Sequence, residues 1–500
     1  GEQSNACMAY EDAVAHYERA LRALPLLGSA DPKLRCELLL AQAEAAWGTL
    51  EDSAVVQQRF MNAADAARAA GAPELLARAA IGRSGHRAGP GDFRHVMRTD
   101  PVDIALLSDA QAALGNTESE LRALVLARLA LAVRYGREFQ VADELSKEAV
   151  RIAEALGTPE TVAQALRYRH EVISGPQFAH ARVELARRIL ALARAVRSRP
   201  LEMDALLFET RSGFVTLDPS ATPAGEAYDA LAGTMKHPGA LVNVGIRSVF
   251  VRALNGAFDL AEREAREFYQ RDRARNMGAE GTFELQMIML GMLRGDHELA
   301  TTMVQQMAAR YPNVPWLECA LVREHAYAGR RAEAEQQFEL VAGRYERLER
   351  HHEHSCLGAY FLLAEACAEL GDARRAAELY DRMLPYKKLI AAPFLGTIWH
   401  GSMTYALGLA AAARGRLDLG QRHFEVALAI AQGLASPPLI AMTQERLGAV
   451  LLQTGNDGDA ARANELLMRA ADGAQRLGMR DVARRSGHLL RAPDRSVNLD

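Results

Sequence analysis

A glycine returns at a spacing of roughly forty residues through most of this 500-residue chain: Gly136, Gly175, Gly213, Gly256, Gly295, Gly329, Gly371, Gly415 and Gly455, with Gly48 as an earlier marker. A period of 20 to 50 residues is the signature of a stacked array, in which one supersecondary unit is repeated and each copy buries its apolar face against the next. Between the glycines, alanine, leucine, arginine and glutamate dominate, and apolar positions recur at i, i+3, i+4 and i+7. Strong helix formers in that pattern predict helices, with glycine at helix ends because the terminating residue often needs a positive φ. The expectation is an all-α chain, at least three-quarters helical and without a sheet, in eleven or twelve antiparallel helix pairs forming a single repeat domain over residues 1–500.

Each glycine is followed by a second pattern. Gly371 precedes Ala376, Tyr380 and Met383 at offsets of 5, 9 and 12; Gly415 precedes Gly420, Phe424 and Ala427, and Gly329 precedes Ala334, Phe338 and Val341. Near the start, Met8 holds the glycine place before Ala13, Tyr17 and Ala20. Small residues let two helices approach, and a ring one turn away fills the groove between them. This arrangement resembles the tetratricopeptide repeat (TPR), a helix–turn–helix unit that stacks into a superhelix, although the period here exceeds 34. The stretch LGLAAAARGRLDLGQRHFEVALAIAQGLASPPLIAMTQERLGAVLLQTGNDGDAARANELLMRAADGAQRLGM, with AYEDAVAHYERAL, resembles the C-terminal repeat region of large bacterial signal-transduction ATPases, including large LuxR-type transcriptional regulators. The resemblance runs from about Ala9 to Ala483. It implies a sensor or scaffold role beside a nucleotide-binding module; no GxxxxGK[ST] occurs in this chain.

Interruptions are expected at Gly82–Pro101, a glycine-rich insertion, at Leu217–Ala227, a lengthened turn, and in an irregular tail after about residue 490. The insertion carries Arg83, Arg87, Arg94 and Arg98 among its glycines, a composition able to hold a phosphate, but a flexible loop between repeats explains it more simply. The net charge of −4 shows no basic excess that would point to nucleic acid, so no direct nucleic-acid contact is expected. Five scattered cysteines without CxxC spacing read as reduced thiols and point to the cytoplasm. No apolar run reaches the length of a membrane helix, and no signal peptide is visible. The sequence opens on Gly1 rather than methionine, as expected of an excised piece or a tag remnant.

The stretch RHHEHSC, Arg350 to Cys356, gathers metal-ligand residue types. Of its histidines only His351 and His354 can share a helical face, and HExxH spacing is absent, so no metal is expected. Met287, Met289, Met292 and Met303 read as core filling. No cofactor and no catalytic motif is expected.

TPR resemblance implies a concave face lined by the first helix of each pair, mainly ten and six residues before the turn glycine. Those places hold Ile246, Leu285, Cys319, Phe361 and Tyr405, then Phe250, Met289, Arg323, Glu365 and Leu409; three residues further back stand Asn243 and Trp316 among others. A groove open to water should be polar here, and an apolar one suits a ligand pocket. The candidate site is therefore Asn243, Ile246, Phe250, Leu285, Met289, Trp316, Cys319, Arg323, Phe361, Glu365 and Tyr405, with Arg323 as anchor for a carboxylate or phosphate. A tightly wound superhelix whose inner face packs on itself accounts for the same residues. The groove is expected to take a small molecule, a peptide or a protein, and self-association is also open to such an array. An enzyme with a pocket inside the array and a pure protein–protein scaffold are the alternatives.

Overall fold

The computed structural model describes residues 10–27, 31–49, 52–85, 100–134, 139–235, 238–275, 281–312, 314–343, 345, 355–454 and 459–491. Among them are 24 helices of eleven residues or more, arranged as sequential antiparallel pairs, so the fold is all-α and TPR-like. They fall into two compact units, divided within two helices.

The first unit holds α1 (Tyr10–Ala23), α2 (Pro32–Ala46), α3 (Ser53–Ala69), α4 (Pro73–Arg83), α5 (Pro101–Leu114), α6 (Glu120–Val133), α7 (Phe139–Leu156), α8 (Pro159–Val172) and most of α9 (Ala179–Ala195). Its helices start where the sequence supplies caps: the Asp31, Asp52 and Asp100 carboxylates accept backbone N–H groups of the first turn, and proline follows Asp31 and Asp100. Gly82, expected in a loop, lies inside α4 instead. A Cβ there would sit 2.1 Å from the Phe60 ring, and the Gly82 carbonyl accepts the Trp47 indole N–H at 3.0 Å. Arg83 is buried on α4 and ion-paired to Asp103 and, at 3.3 Å, Asp100, so its guanidinium is committed within the fold. The rest of the glycine-rich stretch, residues 86–99, lies outside the described residues, as do Gly136, Gly455, Arg350–His354 and the tail after Arg491.

The second unit takes up Ser174–Val183 and the chain from Leu207, within α10 (Arg199–Thr216). There follow α11 (Ala221–Met235), α12 (Pro238–Leu254), α13 (Phe258–Arg275), α14 (Thr282–Arg294), α15 (His297–Arg310), α16 (Pro315–Tyr327), α17 (Arg331–Ala342), α18 (Ser355–Leu370), α19 (Ala373–Met383), α20 (Met403–Ala413), α21 (Leu417–Gly433), α22 (Pro437–Thr454), α23 (Asp459–Leu477) and α24 (Arg480–Arg491). Turns inside the pairs are short because one residue ends a helix and the next begins another. Gly371 has φ +67, and the Asp372 carboxylate then accepts the Arg375 N–H at 2.9 Å; Gly295 and Asp296 repeat the device. The small–aromatic–small pattern packs as anticipated: Phe424 is 1% exposed and lies where a Cβ on Gly408 would be 2.8 Å from its ring.

Two register glycines differ. Gly213 sits within α10, where a Cβ would approach that of Ala221 to 3.0 Å, and the chain turns at Leu217 with φ 58. The lengthened turn expected at Leu217–Ala227 is accordingly short, since α11 already begins at Ala221. Gly175 is extended (φ −74) before a 3-10 turn, Pro176–Phe178.

The expectation of no sheet is corrected by a small antiparallel pairing, β1 (Ile390–Ala391) with β2 (Gly401–Ser402), in the segment between α19 and α20. Ile390, Ala391, Ile398, Trp399 and His400 are buried there. A buried stretch of backbone needs partners for its polar groups. The ladder supplies some of them, and His400 N–H to the Ala391 carbonyl and Met403 N–H to the Leu389 carbonyl, each 2.9 Å, supply more.

Candidate functional site

Three successive first helices, α16, α18 and α20, run along the inner wall of the second unit, and the C-terminal pairs fold back across it. The Ser436 hydroxyl donates to the Leu254 carbonyl at 2.7 Å, and Arg480 Nε donates to the Arg294 carbonyl at 3.2 Å. Gly256 and Gly295 make the approach possible: a Cβ would lie 2.5 Å from Leu477 on the first and 3.0 Å from Asp481 on the second. The wall is thereby covered by the chain itself, and the apolar residues at its −10 and −6 places are core.

At the centre lies a charge network. Arg323 Nε donates to Glu365 at 3.1 Å and its Nη1 to Glu324 at 2.5 Å, while its guanidinium stacks 3.9 Å from the centre of the Tyr327 ring. Tyr327 Oη donates to Glu365 at 3.2 Å. Arg446 bonds to Glu369 at 2.5 Å and Arg485 to Glu445 at 3.1 Å and to Glu369 at 3.3 Å. Burial opposes ionisation of Glu369, yet Arg446 and Arg485 hold its carboxyl below the usual range. His297 closes the network between Glu324 and Asp481, at 2.9 and 2.8 Å. Burial alone would lower its pKa, but the bonds to Asp481 and Glu324 raise it to about 9, so the ring is a cation at neutral pH. Four cations (Arg323, Arg446, Arg485, His297) thus stand against five carboxylates (Glu324, Glu365, Glu369, Glu445, Asp481), each in at least one ion pair.

Beside the network stands a column of parallel rings. Trp316 stacks on His400 (5.7 Å, 20°), His400 on Phe361 (5.6 Å, 21°) and Phe361 on Tyr405 (5.6 Å, 16°). The Trp316 indole N–H donates to His400 Nε2 at 3.3 Å, which places the histidine's own proton on Nδ1. Burial, with Arg323 nearby, pushes the His400 pKa down to about 3, so this ring is neutral.

Network and column border a cavity of about 40 Å³. Of the sequence candidates, Met289, Arg323, Phe361 and Glu365 line it. Trp316 and Tyr405 reach it only through the ring column. Leu285 and Cys319 are fully buried in the core, and burial raises the Cys319 thiol pKa. Asn243 is bonded to Arg211 at 3.0 Å, the Ile246 carbonyl accepts from Gln286 at 3.1 Å, and Phe250 packs edge-on against Phe214 at 4.9 Å. Arg323, expected to await an anion, has its donors on carboxylates of the chain. Sequence reasoning missed Tyr327, His400, Asp481 and Arg485, which line the cavity from the end of α16, an inserted segment and the C-terminal helix. The 44-residue gap between Gly371 and Gly415 was the one visible signal of the insertion.

No family model and no curated protein matches the sequence. Among solved structures, the chain is similar to the Cut9–Hcn1 hetero-tetramer of the APC/C, with a TM-score of 0.48 and 14% identity over 98% of this chain and 85% of that one. It is also similar to yeast Tom70, with a TM-score of 0.36 and 14% identity over 93% of this chain and 97% of that one. Among the described residues no helix is long and apolar enough to cross a membrane, and no group of three His, Cys, Asp or Glu residues is placed to hold a metal.

Proposed function

We propose that the chain is a binding domain: a TPR-like scaffold whose second unit takes a small molecule at its centre and presents other faces to a protein partner. The convergence of four inner-wall candidates on a single cavity supports the ligand, since first helices of successive pairs contribute Met289, Arg323, and Phe361 with Glu365 to one place. The size of that cavity supports the division of roles. A space of about 40 Å³ accommodates roughly three waters, so it takes only a small molecule around which the methionine-rich wall re-packs, and a peptide of several residues must bind elsewhere. The resemblance over Ala9–Ala483 supplies the finer part of the proposal, a sensor domain within a bacterial signalling or transcription-regulating ATPase.

A thermal-shift survey of small metabolites on the purified chain and on Met442→Phe, which fills the cavity, tests the reading. Any compound that binds the folded state alone raises the melting temperature by mass action. At least one should stabilise the parent chain and leave the variant unmoved. A survey in which no compound stabilises the parent, or in which the variant responds equally, overturns the ligand-binding role.

A further inference from the structure

The cavity has a chemistry as well as a size. Its wall carries four thioethers, Met289 and Met292 from α14, Met442 from α22 and Met479 from the turn before α24. Methionine side chains are unbranched and polarisable, and such walls re-pack around ligands of differing shape. The charged groups on the same wall are already ion-paired: Arg323 with Glu324 and Glu365, Asp481 with His297, Arg485 with Glu369 and Glu445. His400 differs from them. It is 7% exposed, its Nε2 is occupied by the Trp316 N–H, and its Nδ1–H has no hydrogen-bond partner among the described residues. The Trp399 indole N–H, on the same wall, is buried and also without a partner among the described residues, and a buried donor left without an acceptor is costly.

Resting on the ligand-binding role proposed above, the geometry points to an uncharged small molecule with a carbonyl-type acceptor, its oxygen taking the His400 Nδ1–H and its apolar part lying against Met289, Met292, Met442 and Met479. Thioethers suit a short alkyl group, and the free donors on this wall, the Trp399 indole N–H beside His400 Nδ1–H, suit an acceptor oxygen. An ionised head group fits poorly. It would enter a low-dielectric space in which every countercharge is engaged, and would have either to remain unpaired or to break an existing pair. An ammonium is disfavoured twice, because it has no acceptor to offer His400.

Three probes with one four-carbon tail separate these cases: butanamide, butanoate and butylammonium. With methyl-13C methionine in the full chain, titration with butanamide should shift the methyl signals of Met289, Met292, Met442 and Met479, assigned by single Met→Leu substitutions. Met468, 56% exposed on α23, should stay in place. The His400 Nδ1 resonance, read in a long-range nitrogen–proton spectrum, should move with the same saturation curve. Butanoate and butylammonium should bind at least about tenfold more weakly. Met442→Phe should abolish the shifts; should that variant not fold, Leu293→Phe, at a half-buried place on the wall, carries the same test. The proposal is overturned if butanamide moves only exposed methyls, if His400 does not respond, or if butylammonium matches butanamide. Stabilisation by other metabolites in the thermal survey together with any of these results would preserve the binding role and reject this ligand class.

Discussion

His297 and Asp481 are 184 positions apart in the chain and joined by a 2.8 Å hydrogen bond. One begins α15 and the other lies in the first turn of α24, so this contact holds the last helix of the array against a pair near the middle of the second unit. Both ring nitrogens are engaged, the second by Glu324, and only the protonated imidazole can donate to both carboxylates.

The contact predicts an alkaline loss of stability. The folded-state pKa of His297 is raised to about 9 from 6.5 by its two carboxylate partners against the effects of burial and Arg323. Its contribution is fully present below pH 6.5 and declines as pH rises through 9. Asp481 is shifted the other way: burial opposes it, but bonding to His297, with Arg485 and Arg323 near, depresses its pKa, so its share is present above its unfolded value and is lost in acid. Urea denaturation at pH 7 and pH 10 should differ by about 3 kcal/mol in the parent chain, and His297→Gln should remove most of that difference. Equal pH dependence in both would refute the role given to His297.

Arg323→Ala should be strongly destabilising. The substitution leaves Glu324 and Glu365, 0% and 3% exposed, without their guanidinium and removes the stack on Tyr327. Breaking a buried pair from one side costs about 3–5 kcal/mol. Arg323→Ala combined with Glu365→Gln should recover part of the loss, read as the denaturation midpoint at constant slope.

Gly408 tests whether close packing or backbone freedom governs the pairs. It sits inside α20, where alanine would gain about 1 kcal/mol in helix propensity, but the new methyl would fall 2.8 Å from the Phe424 ring. Overpacking should win, with Gly408→Ala losing about 1–3 kcal/mol. Gly371→Ala, at φ +67 with open space around it, should lose about 1 kcal/mol through backbone strain alone. The double variant Gly408→Ala/Phe424→Leu should be milder than the sum of its parts.

Cys36, Cys319, Cys356 and Cys367 are all buried, and burial raises the thiol pKa of Cys36, Cys319 and Cys367. Thiolate is the reactive form, so these thiols should be inert in the folded protein. In a Cys7→Ser background, Ellman's reagent should find no fast thiol at pH 8 and four after denaturation.

Much of the fold was legible because helix pairing is local. A turn of Gly371 and Asp372, or a small residue and a ring at offsets of 5 and 9, is set by neighbours within one repeat, and the spacing of such residues announces it. Gly213 and Gly82 escaped that reading, since a glycine that admits a ring or a neighbouring helix looks in sequence like one that ends a helix or belongs to a loop. The inner wall was legible from one side only. The −10 and −6 places located Met289, Arg323, Phe361 and Glu365 on the cavity, because they depend on the register of their own helices. The insertion of His400 between Trp316 and Phe361 and the return of α22 and α24 depended on how far each pair rotates against the last. That rotation accumulates over many repeats, and its closure brought His297 to Asp481. The sequence by itself determined the repeating unit and the face each unit turns inward; the tertiary structure decided what that face meets, because contacts across 184 residues are set by the summed geometry of the array and by no local pattern.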